Sequence, residues 1–97
     1  MSNKEHKKTA AHMIVHGRVQ GVGFRYYTLE TAQNLGLVGW VKNLWDGTVE
    51  VWAEGPKKDV QSLIAAVRQG PSMAFVQRVD LEWYTPKGSF DTFRVRY

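Results

Sequence analysis

Alternating apolar and polar positions open the patterned part of the chain. Between residues 12 and 19, Met13, Val15 and Val19 fall on one face and His12, Ile14, His16 and Arg18 on the other, the period of a half-buried strand. The period then changes. Phe24, Thr28, Leu29, Ala32 and Leu35 recur at helical spacing, and Gly36 suits the left-handed position just past a helix. Residues 37–44 read as a second strand and 48–54 as a third, with Val49, Val51 and Ala53 alternating and Asp46-Gly47 as a hairpin signal between them. Pro56 is expected at the first position of a second helix, whose apolar stripe is Val60, Leu63, Ile64 and Val67 and which Gly70-Pro71 ends. A fourth strand spans 75–84, with Val79, Leu81 and Trp83 on one face. After a turn at Pro86-Lys87-Gly88, Phe93, Val95 and Tyr97 alternate with Arg94 and Arg96 in a last strand. The order β-α-β-β-α-β plus a short terminal strand predicts an α+β, ferredoxin-like split βαβ sandwich, with two helices on one face of a mainly antiparallel sheet. Residues 1–10 show no apolar periodicity and are expected to form a disordered N-terminal arm, leaving 11–97 as one domain.

Composition narrows the classes. Of 97 residues 43% are apolar, enough for a small core, and no run approaches the roughly 20 apolar residues of a membrane span. The first residues are polar rather than signal-like, and the lack of cysteine removes disulfides, so a cytoplasmic protein without membrane partners is expected. The net charge is +4, half of it from Lys4, Lys7 and Lys8 against Glu5. Such a balance fits nucleic acid, an anionic small substrate, or solubility alone.

The densest candidate chemistry lies between the first strand and first helix, in Gly17-Arg18-Val19-Gln20-Gly21-Val22-Gly23-Phe24-Arg25. Glycines let the backbone take positive φ, and successive amides at a helix N-terminus make an anion cradle. Arg25 adds a planar charge that matches phosphate oxygens in pairs. The dinucleotide fingerprint fails because Tyr26 stands where its third glycine belongs, and the Walker loop fails because no lysine lies between Lys8 and Lys42. A thiol phosphatase would need a cysteine near Val19, and the chain has none. The remaining readings are a phosphate cradle or a tight turn. Asn43, just before the hairpin, can hold a water in one orientation or simply favour a turn. His12 and His16 stand about 13 Å apart if on a strand, too far for one metal ion, and are expected as solvated surface histidines. No metal site or cofactor is expected.

These motifs carry a family resemblance. Gly17-x-Val19-Gln20-Gly21-Val22-Gly23-Phe24-Arg25, Gly36-Leu37-x-Gly39-Trp40-Val41-x-Asn43 and Asp46-Gly47-x-Val49-Glu50, in that order, resemble the acylphosphatase signature. Ala53-Glu54-Gly55, Gly70-Pro71, Ala74-x-Val76-x-x-Val79 and Phe93-x-Val95-x-Tyr97 extend the likeness from about residue 12 onward. The resemblance implies hydrolysis of acyl phosphates. By it, the amides of Gln20, Gly21, Val22, Gly23, Phe24 and Arg25, with the Arg25 guanidinium, hold the phosphoryl group, and Asn43 positions the attacking water. The small-molecule acyl phosphate is then substrate, phosphate is product and competitive ligand, and the protein is expected to be a monomer.

A carboxylate leaving group has a conjugate acid of pKa about 4 and departs unprotonated at neutral pH, so no general acid is needed. No base stands beside Asn43 in the sequence, and the substrate's own oxygens are expected to take the water's proton. Trp45, where relatives often carry a small or polar residue, is expected to affect preference for bulky acyl groups. Two other functions share the pattern: a domain that binds a phosphorylated metabolite without turnover, and an RNA-binding module of the same element order. Carbamoyl phosphate, the substrate of the acylphosphatase-like domain of a hydrogenase-maturation factor, is a closer variant. The RNA reading suffers because Trp52 is flanked by Glu50 and Glu54, so no nucleic-acid partner is expected.

Overall fold

The computed structural model describes residues 7–97. Its elements are β1 (Lys8–Arg18), α1 (Phe24–Asn34), β2 (Val38–Asn43), β3 (Val49–Pro56), α2 (Lys57–Gln69), β4 (Phe75–Tyr84) and β5 (Phe93–Arg96). The strands form one sheet in the order β4-β1-β3-β2-β5. All pairs are antiparallel except β2 with β5, which run parallel. The ferredoxin-like arrangement expected from the periodicity is the one observed.

The core follows from the two periods. Met13, Val15, Val41, Val49 and Val51 project from alternate strand positions and meet Phe24 and Ala32 of α1 and Val60, Leu63, Ile64 and Val67 of α2 in one buried cluster. Each fully buried aliphatic or aromatic side chain of this kind stabilises the fold by about 1.5–3 kcal/mol. Among the described residues no helix is long and apolar enough to cross a membrane.

Three expectations need correction. The first strand begins at Lys8 rather than His12, so the arm expected over residues 1–10 is too long; residues 1–6 lie outside the described part. Lys8, Thr9 and Ala10 pair with Pro56, Gly55 and Glu54. Paired alanines at 10 and 11 give no alternation signal, and the partner strand is distant in sequence. Pro56 is the last residue of β3 and caps α2 from outside the helix, with ψ 138°, instead of sitting at its first position. Its locked φ is −57°, compatible with either place. The histidines, finally, are not free on the surface. His12 Nε2 lies 2.7 Å from Glu50 Oε2, and His16 Nε2 lies 2.9 Å from Asp80 Oδ2.

The helix-free face of the sheet is partly covered by the chain itself. Glu54, 3% exposed, accepts hydrogen bonds from Trp52 Nε1 (2.7 Å), Lys87 N (2.9 Å) and Gly88 N (3.2 Å). This clasp holds the β4–β5 connection against β3. Burial alone would raise the Glu54 carboxyl, but the Trp52 donor, the two amides and the Lys87 charge outweigh it and keep the group below the usual glutamate value.

Candidate active site

The site begins with two backbone angles. Gly21 and Gly23 have φ of 74° and 79°, the left-handed region that side-chain-bearing residues resist. A Cβ at either would meet nothing within 4 Å, so the backbone conformation, and not lack of space, calls for glycine. Gly23 is the N-cap of α1, and its carbonyl accepts the first helical bond from Tyr27 N at 3.0 Å. Among the described residues, no amide from Gln20 to Tyr26 donates to a backbone carbonyl. The turn therefore presents unsatisfied N–H groups at the positive end of a helix, an arrangement that favours an anion.

Arg25 stands in the first turn of α1 and, among the described residues, has no carboxylate partner. Its guanidinium carbon lies 5.2 Å from the centroid of the Tyr97 ring, a cation–π contact that leaves the N–H fork available. Asn43 arrives from the end of β2, where it pairs with Val49. Its Oδ1 is buried with no hydrogen-bond partner among the described residues. A buried amide oxygen left unpaired costs about 1–3 kcal/mol, so this atom calls for a donor from outside the protein.

Gln20 connects the two halves. Its Nε2 donates to the carbonyls of Leu44 (2.6 Å) and Thr48 (2.8 Å), clamping the glycine loop to the β2–β3 hairpin. The hairpin is internally pinned as well: Asp46 Oδ1 accepts from Thr48 N at 3.0 Å and Thr48 Oγ1 at 2.6 Å. Those two bonds lower the Asp46 pKa, the hydroxyl contributing most.

A cleft of about 220 Å3 results, lined by Val19, Gly21, Gly23, Phe24, Arg25, Tyr26, Asn43, Val95 and Tyr97. None of these is acidic. Of the residues singled out from sequence, Gly21, Gly23, Phe24, Arg25 and Asn43 are brought together here. Val22 and Gln20 are not among the lining groups, and the Gln20 side chain is turned to the hairpin. Trp45 is fully exposed at the hairpin tip and outside the lining. Val95 and Tyr97 carry no site signal of their own in the sequence, and Tyr26 reads there as able to touch a substrate but more readily as a helix-surface or core packing residue. For Tyr26 the signal was its place beside Arg25; for the other two the alternation of the last strand shows a shared face but not its neighbour.

Known proteins resemble this chain in sequence and fold. The family model described as Acylphosphatase matches residues 11–95. The acylphosphatase of Thermococcus kodakarensis is 49% identical over 82 residues, covering 84% of this chain and 90% of that protein. The acylphosphatase of Geobacter sulfurreducens is 48% identical over 90 residues, covering 93% and 99%. The solved structure of an acylphosphatase from Coxiella burnetii superimposes with a TM-score of 0.89 at 40% identity, over 99% of this chain and all of that one. The family match over residues 11–95, with relatives near 50% identical over most of both chains, places this chain in the acylphosphatase family.

Proposed function

We propose that, in this enzyme's hydrolysis of acyl phosphates to a carboxylate and inorganic phosphate, the 20–25 loop and Arg25 hold the phosphoryl group while Asn43 delivers the attacking water. The observation that carries the proposal is the unpartnered Oδ1 of Asn43, buried in the same cleft as Arg25 and the unsatisfied loop amides. A water donating one proton to Oδ1 keeps a lone pair for phosphorus. The water oxygen bonds to phosphorus as the bond to the acyl oxygen breaks, and the carboxylate leaves with that electron pair. The remaining proton passes to a phosphoryl oxygen. Arg25 and the loop amides meet the charge on the equatorial oxygens, so positioning and electrostatics supply the catalysis.

This chemistry asks for no metal, and we propose that turnover is metal-independent. We also propose that the monomer is competent. Phosphate should act as product and competitive ligand. The RNA-binding alternative fares poorly against one detail. Trp52 is 7% exposed, its indole N–H is committed to Glu54 and the Lys87 ammonium lies 4.7 Å from its ring, so the ring is not open to a base.

The test is hydrolysis of benzoyl phosphate in EDTA by wild type, Arg25→Ala and Arg25→Lys. Turnover that survives EDTA and falls at least roughly 100-fold in both variants is expected, since a point charge cannot reproduce the fork. Phosphate binding without turnover in wild type would favour the non-catalytic domain instead.

A further inference from the structure

An in-line displacement places the attacking and leaving oxygens on opposite sides of phosphorus. With the water on Asn43 and the phosphoryl group on the loop and Arg25, the acyl group must meet whatever lining remains. That remainder is Val19, Tyr26, Val95 and Tyr97. Val19 is fully buried beneath the cleft and Val95 half-buried. The Tyr97 ring is engaged with the Arg25 guanidinium.

Tyr26 stands apart. It is 66% exposed although it lines the cleft, and among the described residues its hydroxyl makes no hydrogen bond and its ring has no aromatic or cationic partner. The adjacent Tyr27 shows what a structural tyrosine does in this helix: its hydroxyl donates to Ala66 O at 2.8 Å and its ring packs on Phe24 at 6.1 Å. One large apolar ring is therefore left unused at the cleft, one residue beyond the arginine that fixes the phosphoryl group. We propose that Tyr26 is the wall against which the acyl group packs, making it the residue that favours aromatic or bulky apolar acyl phosphates over small ones.

This subsite rests on the phosphoryl and water positions assigned above. It also moves the selectivity expected of Trp45 to a different element, because Trp45 does not line the cleft. A ring contacting an aromatic acyl group acts on that substrate and leaves a small one untouched, which separates it from a residue that merely shapes the loop. The effect of one aromatic contact is roughly two- to tenfold.

The test compares kcat/KM for benzoyl phosphate and acetyl phosphate in wild type, Tyr26→Ala, Tyr26→Phe and Trp45→Ala, with Arg25→Ala alongside. The benzoyl-to-acetyl ratio should fall in Tyr26→Ala within that range. It should hold in Tyr26→Phe and Trp45→Ala, and the inhibition constant for inorganic phosphate should not change in Tyr26→Ala. An unchanged ratio, or equal losses on both substrates, would overturn the subsite while the Arg25→Ala loss left the catalytic assignment standing. Full activity in Arg25→Ala would overturn both.

Discussion

At the scale of single residues, the site divides by how much each group announces itself. Arg25 and Asn43 were legible in the sequence because each ends a motif whose other members constrain the backbone around it. Tyr26 was legible only as a possible substrate contact beside a packing role, because an exposed tyrosine on a helix looks the same whether or not a cleft opens beside it. Asn43 makes the sharper test of mechanism. Removing its side chain in Asn43→Ala should lower kcat by roughly 100-fold, the cost of a misplaced reactant, while inhibition by phosphate changes little. Among the described residues, the cleft lining holds no carboxylate or imidazole side chain that could serve as a base. Wild-type kcat is accordingly expected to be flat from about pH 5 to 8. A steep limb in that range would mean that a protein group takes the water's proton.

At the scale of elements, one side chain ties the two halves of the proposed site together without having to touch substrate. Gln20 Nε2 ties the loop after β1 to the hairpin that ends β2. Both acceptor carbonyls keep a second donor, Gly47 N on Leu44 O and Leu44 N on Thr48 O. Gln20→Ala should therefore cost only about 1–2 kcal/mol of stability. Because the loop and Asn43 would lose their common tie, kcat should fall by about tenfold or more, with phosphate inhibition nearly preserved. Urea melts and steady-state kinetics on the same variant separate these effects; a loss confined to stability would remove Gln20 from the positioning role. The strands and helices themselves were readable because Met13, Val15 and Val51, and likewise Val60, Leu63, Ile64 and Val67, obey one period each. Register and neighbours were less so. The pairing of Lys8 through Ala10 with β3, and of β5 with β2, joins segments distant in sequence, and no local pattern encodes them.

At the scale of the whole molecule, the Glu54 clasp links stability to acidity. Its folded pKa lies below the ordinary value of 4.5, so it favours the folded state fully above that value, and this contribution is lost as pH falls through the folded pKa. Glu54→Gln should destabilise the protein by about 1–3 kcal/mol at pH 7, since a carboxylate accepting three bonds is replaced by an amide with one acceptor oxygen. The gap between wild type and variant should narrow once the pH drops well below 4.5. Denaturant melts at several pH values would show it, and a gap independent of pH would place the clasp's contribution in shape rather than charge.

The parallel pairing of β2 with β5 has one more consequence, which concerns time. More than half the chain separates Gly39 from its partner Phe93, so this contact closes a large loop and belongs to the slow, non-local part of folding. Val95 and Tyr97, which complete the wall around Arg25, arrive only with that closure. The cleft is complete only once the two ends of that loop have met. A partly assembled chain without this pairing would hold Arg25 without the Tyr97 ring that packs on it.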